Sequence, residues 1–268
     1  MIHQTGDIHY GILGIWRCPV VLTIHDLRFI EEARGLRRML FWWLWLYLPC
    51  MRANRVTVIS EFTKSRLLAL CRVNPNKLRV IPNCVAGEFV ATEKPWNAAK
   101  PYVLLVGTTP NKNLGRIAEA CQGLRVRLSI LGQLDAGQRA ALEARAIDYE
   151  SHSDLAKAKV VELYQSCDLV CFVSTYEGFG MPILEGQAVG RPVLTSDISP
   201  MREVAGKGAL KVDPFDIAAI RSGLERLIGD AGLREDLVRE GFRNVKGYSA
   251  ESVAAQYAAL YQEVLDSQ

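Results

Sequence analysis

Short apolar, β-branched runs alternate with helix-period stretches along most of this chain, and that alternation leaves few architectures open. Such runs read as strands buried on both faces, which requires parallel sheets whose crossover helices cover each side. In the first part, residues 19–24 (PVVLTI), 55–59 (RVTVI) and 78–81 (LRVI) are the expected strands, with Ser60 capping a helix between the last two. Residues 85–101 have no period and several breakers, so they read as a linker. A second run of strands follows at 102–106, 126–131, 169–173 and 192–195, with helices between them and three more closing the chain, the last near 250–265. The expectation is an α/β chain of two Rossmann-like, doubly wound parallel-sheet domains. The first has too few strands to cover both sheet faces and is expected to be truncated. Residues 1–95 are assigned to it with the linker, 96–248 to the second, and 249–268 to a helix packing back on the first.

Hydrophobic residues at 49% and charged residues at 23% exclude disorder as the main state. A formal net charge of +3 is too mild to indicate a nucleic-acid partner. Seven scattered cysteines without a C-x-x-C pair are expected to be reduced thiols, and no metal site is expected. Met1 is followed by IHQTGDIHYG rather than a leader-like run, so the expected compartment is the cytoplasm. Residues 39–51 (MLFWWLWLYLPCM) are flanked by arginines but fall short of the ~20 residues a spanning helix needs. They read either as a buried helix or as one lying on the inner membrane surface, with tryptophans in the interface and arginines on anionic head groups.

The densest information lies at residues 174–190 (STYEGFGMPILEGQAVG). The chain there leaves a strand, turns through Gly178 and Gly180, and enters a helix with Pro182 in its first turn. In an open parallel sheet, ligands bind at strand C-terminal ends, and helix N-termini favour phosphate. Glu177 and Glu185 frame the turn. Carboxylates beside a phosphate are unfavourable unless they have other partners, and sugar or ribose hydroxyls can supply them. The residues alone therefore point to a nucleotide sugar or a similar polyol phosphate. Glu203 and His152 read as structural positions, and His3 and His9 as polar loop residues.

EGFGMPILE resembles the signature of family 4 glycosyltransferases, in which two glutamates separated by seven residues flank a Gly-Phe-Gly turn. VLTIHD at 21–26, VTVISEFTKSRL at 56–67, RVIPN at 79–83, YVLLVGTTPNKNL at 102–114 and GRPVLTSDISPMREVAG at 190–206 resemble further family segments in order and spacing. The resemblance implies the GT-B fold and a retaining, metal-independent hexosyltransferase acting in polysaccharide or lipopolysaccharide synthesis. It would have no cofactor, a nucleotide-diphosphate sugar as donor, and a glycan or lipid-linked acceptor. It further implies that Glu177 contacts the transferred sugar and Glu185 the ribose. Backbone amides at Gly178, Phe179, Gly180 and Met181 would meet the sugar and diphosphate, and Lys112, with Gly107 and Thr108, the diphosphate. His25 matches a histidine that faces the donor. The chain carries Asn111 where many relatives have arginine, and Cys84 where glycine is usual. The competing class is a non-catalytic nucleotide-sugar-binding module. A dehydrogenase ranks below both, because no G-x-G-x-x-G follows an early strand.

Overall fold

The computed structural model describes residues 1–267, and it divides into two compact units, Met1–Cys84 with Glu251–Gln268, and Val85–Ala250. The first unit holds a parallel sheet of β1 (Ile2–Gln4), β2 (Val20–Ile24), β3 (Arg55–Val58) and β4 (Leu78–Val80), in that spatial order. Between β2 and β3 lie α1 (Arg28–Glu31), α2 (Gly35–Phe41), a π-helical stretch Trp42–Tyr47 and α3 (Leu48–Arg52). Helix α4 (Glu61–Leu70) follows β3, and Ser60 caps it by accepting the Thr63 N–H at 3.0 Å.

The second unit continues with β5 (Tyr102–Val106), α5 (Leu114–Cys121), β6 (Arg127–Leu131), α6 (Ala136–Glu143), β7 (Tyr149–His152), α7 (Lys157–Ser166) and β8 (Leu169–Phe172). It closes with α8 (Met181–Ala188), β9 (Val193–Ser196), α9 (Met201–Ala205), β10 (Leu210–Val212), α10 (Ile217–Gly229) and α11 (Ala231–Val245). Its six parallel strands run β10-β9-β8-β5-β6-β7. That is the doubly wound order in which the chain winds outward in both directions from one central pair, here β5 and β8. Every residue of β8 and β9 is buried, as their unbroken apolar runs require. Helix α8 lies close over them because Gly186 has no side chain. A Cβ there would stand 3.0 Å from methyls of Val170 and Val193.

The last helix, α12 (Ala250–Asp266), belongs to the first unit. Val253, Leu260 and Val264 pack against Val21 and Ile81, and Glu263 accepts from Arg55 and Arg79.

Several sequence expectations need correction. Residues 85–95 are not a loose linker: they are irregular but built into the second unit, with Phe89 edge-on to Tyr164, Thr92 accepting from Arg191, and Lys94 paired with Asp168. The first sheet has four strands, because the polar start of the chain supplies β1. His3 is in that strand, bonded to Thr23 and Tyr261, and burial holds its imidazole below its ordinary pKa. His9 is buried beside the Trp45 carbonyl at 2.8 Å, and its pKa is likewise lowered by burial. Neither is a loop residue in water. Residues 39–51 form no single buried helix either, since the π-helical stretch divides them and the part before it is largely exposed.

Candidate functional site

The reversal of strand order between β5 and β8 opens a crevice at their C-terminal ends, and two loops, 107–113 and 173–180, leave the sheet there. Each leads into a helix, α5 or α8, whose first turn points its positive dipole end back toward this rim. Hydrogen bonds join the loops. The Thr175 N–H donates to the Asn111 carbonyl at 2.8 Å, and Asn111 Nδ2 donates to the Tyr176 carbonyl at 2.9 Å. Asn113, buried and left-handed at φ 63°, anchors the start of α5 by donating to the carbonyls of Val173 and Pro214.

The charged groups meet on this frame. Lys112 Nζ donates to Glu177 Oε1 at 2.7 Å and lies 4.6 Å from the centre of the Phe172 ring. Asn111 Nδ2 also reaches Glu177, at 3.2 Å. The lysine stem fills the space that Gly107 leaves open: at φ +91°, a Cβ on Gly107 would sit 2.8 Å from Lys112 Cε. Thr108 is tied down by its hydroxyl to the Gln133 carbonyl and by its carbonyl to Gln138. On the other side, Gly180 takes φ +116° at the mouth of α8, and Met181 is that helix's first residue. Phe179 is buried edge-on to Tyr248 at 5.9 Å between ring centres.

Glu185 sits one turn into α8 and accepts a short 2.5 Å hydrogen bond from the hydroxyl of fully buried Tyr164. Burial raises its pKa above the ordinary carboxylate range, while Tyr164, Lys112 and Lys157 oppose that shift. Tyr164 is itself pushed well above its ordinary value by burial and by the glutamate, so it stays neutral and donates. The structure thus brings together Gly107, Thr108, Lys112, Glu177, Gly178, Phe179, Gly180, Met181 and Glu185 in one unit. His25 belongs to the other unit, just past the end of β2, where Nε2 bonds to the Thr5 carbonyl at 2.7 Å. Sequence reasoning missed Tyr164 and the part Asn111 plays. Tyr164 reads as one more apolar position of a helix, and nothing local marks its hydroxyl.

Residues 88–244 match the family model described as Glycosyl transferases group 1, and residues 1–88 match Glycosyltransferase Family 4. The chain belongs to the group 1 glycosyltransferases. It is 28% identical to the O-antigen chain mannosyltransferase B of Escherichia coli over 93% of this chain and 68% of the relative. In fold it is similar to sucrose-phosphate synthase of Thermosynechococcus elongatus, with a TM-score of 0.83, 18% identity, all of this chain and 74% of that one. It also resembles the Anabaena protein HepE crystallised with UDP-glucose, with a TM-score of 0.77, 17% identity, and coverage of 92% and 73%.

Two predictions about this group 1 glycosyltransferase arise here. Replacing Gly107 with alanine forces a side chain into a left-handed backbone and into the lysine stem. Because that stem is flexible, it gives way, and Lys112 leaves Glu177. We expect about 1–3 kcal/mol of lost stability by chemical unfolding, the cost of a side chain in that backbone region. The second prediction concerns pH. A carboxylate with a raised folded-state pKa destabilises the fold once ionised, so the loss sets in as pH rises through its unfolded value and is complete above the folded one. Glu185→Gln keeps an oxygen for Tyr164 but cannot ionise. Its melting temperature should exceed the parent's at neutral pH, and the gap should close as the pH is lowered to 4. A gap that is independent of pH would refute the assignment.

Proposed function

We propose that the chain transfers a hexose, of mannosyl type, from a nucleotide-diphosphate sugar to a glycan or lipid-linked acceptor, with retention of anomeric configuration and without a metal. The observation that carries this reading is the Lys112–Glu177–Glu185 constellation on the β5/β8 crevice, within reach of two helix N-termini. The similarity to a mannosyltransferase and to a protein that binds UDP-glucose supports the donor class.

The chemistry follows from charge. Breaking the bond between the anomeric carbon and the diphosphate leaves new negative charge on the phosphate oxygens. Lys112 and the amide-bearing turn at Gly178, Phe179, Gly180 and Met181 are placed to stabilise it. A sequence without a D-x-D pair offers no evident metal ligands for the same task. Glu177 accepts from the hydroxyls of the transferred sugar, which also holds Lys112 at the diphosphate. Glu185, oriented by Tyr164, accepts from the ribose hydroxyls. The second unit, which carries all of these residues, serves the donor, and the first unit, which carries His25, serves the acceptor. On the same face the departing diphosphate accepts the acceptor's proton, so no protein base is needed.

A second reading, a binding module that does not transfer, is separated by calorimetry with UDP-, GDP- and dTDP-sugars alongside turnover assays. Tight binding of one nucleotide sugar with transfer supports the enzyme. Binding without transfer favours the module, and no binding of any of the three removes both. Glu185→Ala should weaken nucleotide binding about tenfold or more, by losing charge-assisted hydrogen bonds worth roughly 1.5–3 kcal/mol.

A further inference from the structure

Helix α2 in the first unit has no role in the donor site, and it buries none of its residues. Its continuation does pack: Leu46, Pro49 and Cys50 of the π-helical stretch and α3 are buried. The wider π turn changes the helical phase, so the packed face of α3 does not extend along α2. What α2 presents outward is an apolar stripe. Leu36, Leu40 and Trp43 recur at intervals of four and three, with Met39 beside them. Leu36 is 79% exposed, Met39 55%, Leu40 52% and Trp43 45%.

Charge flanks the stripe on one sign only. Arg34, Arg37 and Arg38 are exposed, and residues 34–52 carry four arginines and no acidic residue. The nearest acids are engaged, Glu31 with Arg66 at 2.6 Å and Glu32 with Arg28 at 2.5 Å. Arg37 lies over the Phe41 ring at 5.1 Å, its guanidinium kept beside the helix. Behind the stripe, Trp42 and Tyr47 stack at 4.8 Å, and Trp42 Nε1 donates to the Leu70 carbonyl at 2.7 Å, which fixes the segment to α4. Among the described residues, no helix is long and apolar enough to cross a membrane.

We propose that α2 and Trp43 form a docking surface for an anionic lipid bilayer, with the helix lying in the interface plane. The stripe would enter the head-group and acyl boundary, Trp43 would sit at the interface, and the arginines would reach the phosphates. A bilayer fits better than a protein partner because the patch combines aliphatic tips at helical spacing with a one-signed rim. An acidic lipid surface neutralises that rim without needing shape complementarity. The inference is independent of the donor-site reading.

The test is co-sedimentation of the 268-residue chain with vesicles of phosphatidylcholine alone or mixed with phosphatidylglycerol, together with tryptophan quenching by brominated lipid. We expect binding to the mixed vesicles, suppressed by salt, and little binding to the neutral ones. The double variant Leu36→Glu/Leu40→Glu should bind about tenfold more weakly or worse. Each of Arg34→Ala, Arg37→Ala and Arg38→Ala should cost about fivefold, from the usual contribution of a basic residue at an anionic surface. Trp43→Phe should remove most of the quenching. Because Leu36, Leu40, Trp43 and the three arginines are exposed, all of these variants should melt like the parent, and Glu185→Ala should still bind vesicles normally. The proposal is overturned if the parent sediments equally with both vesicle types, or if Leu36→Glu/Leu40→Glu binds like the parent. It is also overturned if the lipid-free chain is a dimer that the double variant dissociates, which would assign the stripe to a second copy.

Discussion

Lys112→Ala is expected to lower turnover by about 10²–10³, the loss found when one preorganised donor to a developing anion is removed. Two effects act together. The departing diphosphate loses its ammonium, and Glu177, paired with that ammonium at 2.7 Å, is left beside the phosphate site without it. Donor affinity should fall too, most steeply at low ionic strength, where the Debye length is longest. Steady-state kinetics at two salt concentrations, with calorimetry on the same variant, separate these parts. Arginine is a poor rescue, because Gly107 and the Phe172 ring fit the slim lysine stem. Full turnover in Lys112→Ala would exclude this residue as the diphosphate's partner.

Glu177→Ala should act in the opposite pattern, lowering kcat about 10²-fold or more while the nucleoside diphosphate itself still binds. The carboxylate is proposed to hold the transferred sugar, so its removal should leave affinity for the sugar-free nucleotide unchanged or raised, since Lys112 is released from its ion pair. Glu177→Gln retains a hydrogen-bond acceptor without the charge and should fall between the two. Equal losses of affinity for nucleotide and nucleotide sugar would instead place Glu177 on the nucleotide.

Much of the fold is legible in the sequence, and what escapes has a common cause. Strands β2, β3, β5, β6, β8 and β9 announce themselves as apolar runs because neighbours cover both faces. The three that do not, β1 (IHQ), β7 (YESH) and β10 (LKV), lie at sheet edges, where polar residues are tolerated and runs are short. β4 (LRV) also lies at an edge, but it is followed by Ile81 and Pro82 and still reads as a strand. The π-helical stretch leaves no mark in a continuous aromatic run, since periodicity cannot separate 42–47 from an ordinary helix. The two glutamates, the lysine and the glycine turns are readable as residue types at strand ends. Their pairing is not: Lys112 and Glu177 are 65 positions apart. The burial of His9 escapes a polar-loop reading for the same reason, because its partner, the Trp45 carbonyl, is 36 positions away.

The direct bonding of the 107–113 and 173–180 loops has a consequence for redesign. Asn111 is held by the backbone of Thr175 and Tyr176, and Asn113 by Val173, so neither loop has an independent conformation to transplant. An exchange between relatives that moves only one of them breaks the stitches and drops Lys112 out of register with Glu177. Moved as a matched pair on the same two neighbouring strands, they form a portable cassette.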